Sequence, residues 1–178
     1  MNLLIKDNFF TNPDVLRGMA LDCTYINAED ISVDVGWRGH RTDEFELIGN
    51  EHLIIASQKV SKAVCEHFNL DGYSIKSYFH LSHSGTKKTL DDFENKKYHK
   101  DDFDYAGVVY LKLNPPEGTG TSILDGARNK IESIENKYNR LIAYPAHHVH
   151  APTDLFGNDF TTGRLTLTFF MAKDWTWD

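Results

Sequence analysis

The chain has 178 residues, a mass of 20.4 kDa and a formal net charge of −7 at pH 7. Its length predicts one domain, and 40% hydrophobic with 25% charged residues is a globular rather than a disordered composition. The acidic balance disfavours nucleic acid, because phosphate contacts need a basic surface. There is no signal-peptide pattern and no apolar run of the roughly 18–20 residues needed to span a membrane. With only Cys23 and Cys65, no disulfide framework is expected. We therefore expect a cytoplasmic protein without membrane contact.

The first part of the sequence predicts helices. Residues 8–22 are typical of a loop that leads into a helix, with Pro13 in the first turn, where its missing N–H costs nothing. A longer helix is expected over about residues 47–68, where apolar residues recur every three or four positions. Between them, residues 30–46, which include the Trp37–Thr42 stretch, are predicted to be irregular with short extended pieces.

The second part predicts β-strands, because the apolar period changes from 3.6 to 2 after Gly72. Strands are expected over residues 73–82, 105–114, 121–124, 141–144 and 164–171. In the last strand, Arg164 and Thr166 alternate with Leu165 and Leu167, so the polar side chains share one face. Helices followed by many short strands indicate an α+β fold. The polar faces would line either solvent or an internal cavity, such as that of a jelly roll.

Residue types that bind metals cluster at two places. His99 and Asp101 form an H-x-D pair, which places both side chains on one side of an extended segment. Three of the nine histidines lie within residues 146–150. A distant imidazole added to the H-x-D pair would complete the 2-His-1-carboxylate set of non-haem Fe(II) oxygenases.

The order of these residues resembles that in the Fe(II)/2-oxoglutarate-dependent dioxygenases, in particular the prolyl 4-hydroxylase-like branch. Tyr78 on a strand is followed by the H-x-D pair, a β-rich segment, His150 and the Arg164-Leu165-Thr166 strand. The matching stretch covers more than half of the chain. The resemblance implies a double-stranded β-helix (jelly-roll) core with N-terminal helices packed against the major sheet. Residues 1–178 would then form one domain, helical over about 1–70 and a jelly roll over about 71–173.

The resemblance also implies roles for individual residues. The iron ligands would be His99, Asp101 and His150. The residues that bind 2-oxoglutarate would be Arg164, Tyr78 and Thr166. Such an enzyme would use Fe(II), O2 and 2-oxoglutarate, with ascorbate as a compatible reductant. It would hydroxylate a C–H bond of a peptidyl (prolyl-like) or small-molecule substrate and release succinate and CO2.

Some alternatives stay open at the level of the sequence. His147 or His148 could replace His150 as the distal ligand, although the fourteen-residue step from His150 to Arg164 favours His150. Asp102 could replace Asp101, although H-x-D fits the alternation of an extended chain better. Tyr110 is expected to be a packing residue, though it could face the cavity. The charged cluster of residues 87–104, which includes the insert of residues 87–97, could form a solvated loop or a mobile lid. The Trp37–Thr42 stretch could contact substrate or form an irregular structural loop.

The alternative function is a non-catalytic jelly-roll or cupin-like protein that binds a metal or another ligand. A cupin metal motif needs a further histidine downstream, and none follows His150. The sequence does not define the oligomeric state.

Overall fold

The computed structural model describes residues 2–31, 37–86, 98–124 and 130–173. The helices are α1 (Pro13–Asp22), α2 (Ala28–Ile31), α3 (Phe45–Ile48) and α4 (Glu51–Phe68), and a 3-10 turn spans Ser84–Thr86. The strands are β1 (Leu4–Lys6), β2 (Ile26–Asn27), β3 (His40–Arg41), β4 (Ser74–Ser82), β5 (Tyr105–Tyr110), β6 (Gly120–Leu124), β7 (Lys130–Glu135), β8 (Leu141–Pro145), β9 (Val149–Pro152) and β10 (Arg164–Ala172). The 87–97 insert lies outside the described residues.

The helix predicted over residues 47–68 is two helices, α3 and α4. Gly49 ends α3 in the left-handed conformation, with φ at 70°, which glycine adopts without strain. Asn50 then caps α4, because its side-chain oxygen accepts hydrogen bonds from the backbone N–H groups of His52 (3.0 Å) and Leu53 (3.4 Å). Apolar spacing does not report the backbone conformation at Gly49, so the periodicity did not separate the two helices.

The strands form two antiparallel sheets. The larger sheet has seven strands in the order β1-β8-β5-β10-β4-β3-β2, and the smaller has three in the order β7-β6-β9. Side chains of the two sheets pack against each other, with Val108, Ile142 and Phe170 of the larger sheet meeting Ile123 and Ile134 of the smaller. This is the predicted jelly-roll architecture. The short strands β1, β2 and β3, which the sequence did not resolve, widen the larger sheet at both edges.

The helices cover the outer face of the larger sheet. Leu53, Val60 and Val64 of α4 share a buried cluster with Phe79 and Leu167. Burial of each such side chain stabilises the fold by roughly 1.5–3 kcal/mol. The predicted packing of N-terminal helices on the major sheet is thus confirmed. Among the residues that the structure describes, no helix is both long and apolar enough to cross a membrane.

Strand β10 separates the outer core from an inner polar surface. Its odd-numbered side chains, such as Leu165 and Leu167, face the helices. Arg164, Thr166 and Thr168 face the other way, yet only 5%, 0% and 8% of their areas are exposed. The polar face therefore does not meet bulk solvent. It lies between the two sheets, where a ligand could be enclosed.

Candidate metal and co-substrate site

Backbone pairing brings the two metal-binding segments together. The N–H of His99 donates to the carbonyl of His150 (3.1 Å), and the N–H of His150 donates back to the carbonyl of His99 (2.9 Å). The N–H of Asp101 donates to the carbonyl of Ala146 (3.2 Å). The H-x-D segment is thus held along β9, on the edge of the smaller sheet.

Three side chains converge at this edge. One potential ligand atom from each of His99, Asp101 and His150 lies within 4.8 Å of the other two. The two Asp101 oxygens divide the contacts, with Oδ1 at 3.6 Å from Nε2 of His99 and Oδ2 at 3.1 Å from Nε2 of His150. Within the described ranges, this is the one group of three such residues able to hold an ion.

The hydrogen bonding of His150 favours a cation at this point. Its Nδ1 donates to the carbonyl oxygen of His148 at 2.9 Å, which leaves Nε2 with its lone pair in the neutral ring. That lone pair faces an Asp101 carboxylate oxygen at 3.1 Å. Two electron pairs at this separation need a proton or a metal ion between them. The donor set, two imidazoles and one carboxylate, fits a divalent iron.

The neighbouring candidate residues lie apart from this group. His147 is exposed and its ring packs against that of His148, with centroids 4.4 Å apart. Asp102 is exposed as well. Of the alternatives left open by the sequence, the structure brings only His150 and Asp101 into the cluster with His99.

Tyr144 forms an aromatic wall beside the cluster. Its ring centroid lies 4.8 Å from that of His150, and only 4% of its area is exposed. Burial raises the pKa of Tyr144 well above its usual value, and the charge of Asp101 acts in the same direction. The phenol therefore stays neutral, and it shields the buried side of His150 from water.

Arg164 carries a buried guanidinium on the inner face of β10. Its Nε has no hydrogen-bond partner, and its Cζ lies 5.4 Å from the ring centroid of Tyr110. It forms no ion pair with a carboxylate of the described residues. An enclosed positive charge that no carboxylate of the described residues balances is costly, so the arrangement suits an anion.

Comparisons with known proteins identify the fold. No protein-family model matches the chain, and no curated protein sequence matches it. Solved structures do match. A Pseudomonas putida prolyl-4-hydroxylase is 16% identical over 97% of this chain and 93% of its own, with a TM-score of 0.63. A Burkholderia pseudomallei oxidoreductase of the 2OG-Fe(II) oxygenase family is 13% identical over 97% and 86%, with a TM-score of 0.64. A Trichoplax adhaerens prolyl hydroxylase, solved with a hypoxia inducible factor peptide, is 14% identical over 97% and 84%, with a TM-score of 0.60.

The chain has the fold of the 2OG-Fe(II) oxygenases. The predicted resemblance to the prolyl 4-hydroxylase-like branch is confirmed at this level, and the matching structures are those of enzymes.

Within this oxygenase fold, Tyr110 rather than Tyr78 lies beside Arg164. Tyr78 is opposite Thr168 in the β4–β10 register, four residues along β10 from Arg164, and its hydroxyl donates to Oε1 of Glu44 at 3.2 Å. Tyr110 is fully buried, and its hydroxyl shares a 2.7 Å hydrogen bond with that of Thr121. The resemblance implied that Tyr78 and Arg164 bind the same carboxylate, but the structure does not place the Tyr78 hydroxyl beside Arg164. Alternation along β5 could have placed Tyr110 on the inner face.

Thr166 occupies the inner face next to Arg164, as the alternation predicts. Its hydroxyl is completely buried, donates to the backbone carbonyl of His80 at 3.3 Å and lies 2.9 Å from the hydroxyl of Thr168. Because the O–H of Thr166 already donates to the backbone, its oxygen can accept a hydrogen bond from a ligand. The O–H can also rotate and donate to the ligand instead.

His80 gives a prediction about stability against pH. Burial lowers its pKa to about 3, and the charge of Arg41, with smaller effects of Arg164 and His40, acts in the same direction. The folded protein then holds a neutral ring whose Nε2 donates to the carbonyl of Arg38 at 2.6 Å, while the unfolded chain binds a proton below about pH 6.5. We expect His80 to remove about 1.6 kcal/mol from the free energy of unfolding between pH 6.5 and 5. Denaturant titrations at both pH values should show this loss in the wild type and not in His80→Gln. An equal loss in both proteins would contradict the assignment.

Proposed function

We propose that this protein is an Fe(II)- and 2-oxoglutarate-dependent oxygenase that hydroxylates a C–H bond of a peptidyl (prolyl-like) or small-molecule substrate and releases succinate and CO2. The observation that carries the proposal is the convergence of His99, Asp101 and His150 in a molecule whose inner face also buries Arg164 without a carboxylate partner among the described residues. Candidate metal ligands and a candidate anion anchor thus occur together in a fold shared with oxygenases, which supports the proposal. A prolyl-like substrate is favoured by the prolyl hydroxylases among the similar structures.

The metal would be held by the two imidazoles and the Asp101 carboxylate. Three protein ligands leave further positions of a six-coordinate ion open, whereas structural zinc sites are closed by four nitrogen or sulfur ligands. Iron held in this way supplies the oxidative decarboxylation of the ketoacid and the cleavage of a C–H bond. Asp101 neutralises part of the ion's charge, and Tyr144 shields His150 from water.

The 2-oxoglutarate would be anchored by Arg164 at its distal carboxylate. A guanidinium presents two parallel N–H groups to a carboxylate, which fixes the direction of the ligand as well as its position. Tyr110 and Thr166 line the same part of the inner face and add hydroxyl groups. The ketoacid end would then point along the cavity toward the metal-binding cluster.

A Tyr110→Phe substitution tests this anchor. The change removes one hydroxyl from a buried site and leaves the ring that packs on Arg164. We expect the concentration of 2-oxoglutarate needed for half-maximal turnover to rise about 3- to 10-fold, the effect of one lost hydrogen bond. Tyr138→Phe is a matched control, because that hydroxyl contacts Asp14 at the surface. An unchanged requirement in Tyr110→Phe would remove Tyr110 from the anchor.

Mass spectrometry of products tests the proposed function itself. The protein, Fe(II), 2-oxoglutarate and ascorbate would be incubated with proline-containing peptides and free amino acids under ¹⁸O2. The expected result is a substrate that gains one oxygen atom in step with the succinate formed. A wild-type protein that forms no succinate with any of these substrates, while it retains its fold, would contradict the proposal.

A further inference from the structure

Arg41 carries a second guanidinium on the inner face, and this side chain is half-buried with a buried Nε. It lies on β3 opposite His80, which is in turn opposite Thr166, so these side chains share the inner face of the larger sheet. Three aromatic rings surround its Cζ atom. The distances to the ring centroids are 4.6 Å for Trp37, 5.2 Å for Tyr78 and 5.7 Å for Phe170.

This guanidinium has no anionic partner among the described residues. Its Nε is buried without a hydrogen bond, and it forms no ion pair with any carboxylate in those ranges. The nearby Glu44 is already paired with Lys76, at 3.1 Å between Nζ and Oε1. Burial lowers the pKa of Arg41 to about 10, opposed by the charges of Tyr78 and Asp101, so the side chain stays charged at neutral pH. The aromatic rings stabilise this charge only partly, because a cation–π contact contributes about 0.5–2 kcal/mol.

The position of Arg41 differs from that of Arg164. Tyr78 and Phe170, which contact Arg41, lie at β10 positions four and six residues beyond Arg164, or about 13 and 20 Å along the strand. The ring of Phe170 also packs on Phe103, with centroids 4.7 Å apart, and Phe103 follows Asp101 by two residues. The guanidinium thus extends away from the proposed 2-oxoglutarate anchor, toward the part of the inner face beside the H-x-D segment.

We propose that Arg41, framed by Trp37, Tyr78 and Phe170, binds a carboxylate of the substrate that is hydroxylated. The inference rests on the proposed function and specifies its substrate class. The guanidinium would hold the carboxylate through paired N–H donors, and the rings would contact the adjacent carbon atoms. Arg164 would then bind the co-substrate acid at one end of the inner face, and Arg41 would bind the substrate acid at the other end.

Two sources could supply such a carboxylate, and matched probes distinguish them. One set consists of free L-amino acids and their primary amides. The other consists of acetylated, C-terminally amidated peptides that contain Asp-Pro or Asn-Pro. Anaerobic calorimetry with the Fe(II)- and 2-oxoglutarate-loaded protein would measure the affinity for each acid and for its uncharged partner.

We expect at least one acid to bind the wild type about tenfold or more tightly than its amide, the size of a charge-assisted contact. In Arg41→Gln this difference should shrink to about twofold or less, and Arg41→Lys should restore part of it, because the charge returns without the paired donors. Arg17→Gln, on the distant α1, should behave as the wild type. Melting temperatures and the substrate-free Fe(II)/2-oxoglutarate absorption band would show that each variant is folded and loaded.

Three results would overturn the subsite: equal binding of acids and amides, a difference that persists in Arg41→Gln, or no acid that binds the wild type. The absorption band separates this failure from a failure of the proposed function. If the band is present in both the wild type and Arg41→Gln while the binding results above fail, only the substrate subsite is refuted and the proposed oxygenase function is not. A band missing from the wild type would overturn the oxygenase itself.

Discussion

Replacement of Asp101 by asparagine is expected to abolish tight Fe(II) binding and, with it, turnover. Asp101 is the one anionic member of the cluster, and its two oxygens contact Nε2 of both His99 and His150. Loss of a residue that merely orients a metal ligand costs about 10–100-fold in metal affinity. Loss of the charged ligand itself should therefore cost more than about 100-fold. Anaerobic Fe(II) titration monitored by calorimetry would measure the effect.

The adjacent Asp102 supplies a matched control for this experiment. Its side chain is exposed and lies outside the cluster, so Asp102→Asn should bind Fe(II) as the wild type does. The same comparison can be made between His150→Ala and His147→Ala. If Asp101→Asn and the wild type bound iron equally, or if Asp102→Asn lost it, the assignment of the ligands would be wrong.

Replacement of Arg164 by glutamine is expected to raise the required concentration of 2-oxoglutarate by about 100-fold, because truncation of one partner of a buried, hydrogen-bonded charge pair costs about 2–5 kcal/mol. The maximal rate should fall less than the affinity, since Arg164 would act on the distal end of the ligand. Arg164→Lys should recover part of the affinity. Initial rates against 2-oxoglutarate concentration measure both parameters.

A stability measurement provides the control for Arg164. Because its guanidinium is buried and has no carboxylate partner among the described residues, Arg164→Leu should melt at the same temperature as the wild type or higher. Addition of 2-oxoglutarate with a redox-inert divalent metal should then stabilise the wild type and not Arg164→Leu. Arg140→Gln removes a half-buried arginine that pairs with Asp7 instead of a ligand and should leave the 2-oxoglutarate requirement unchanged. Equal stabilisation of wild type and Arg164→Leu would exclude Arg164 from the anchor.

Local pattern predicted those features that depend on one segment at a time. Alternation in β10 placed Leu165 and Leu167 in the outer core and Arg164 and Thr166 on the inner face, where the structure has them. The H-x-D spacing predicted a shared metal site for the same reason. Residues two apart on an extended chain share a side, so His99 and Asp101 reach one point.

Features that depend on pairing between segments were beyond the sequence. Tyr78 and Tyr110 are both inner-face tyrosines, and only the register of β4 and β5 on β10 decides which of them meets Arg164. Arg41 belongs to a two-residue strand in a stretch predicted to be irregular, and its aromatic neighbours come from β4, β10 and the loop before β3. The break at Gly49 depends on a left-handed backbone conformation, which the spacing of apolar residues does not report.

The most direct test of the central claim is the visible absorption of the protein after anaerobic addition of Fe(II) and 2-oxoglutarate. Chelation of iron by the ketoacid inside the site is expected to produce a charge-transfer band in the wild type. The band should be absent from Asp101→Asn and should need far more 2-oxoglutarate in Arg164→Gln. A folded wild-type protein without the band, or with a band that Asp101→Asn retains unchanged, would contradict the account.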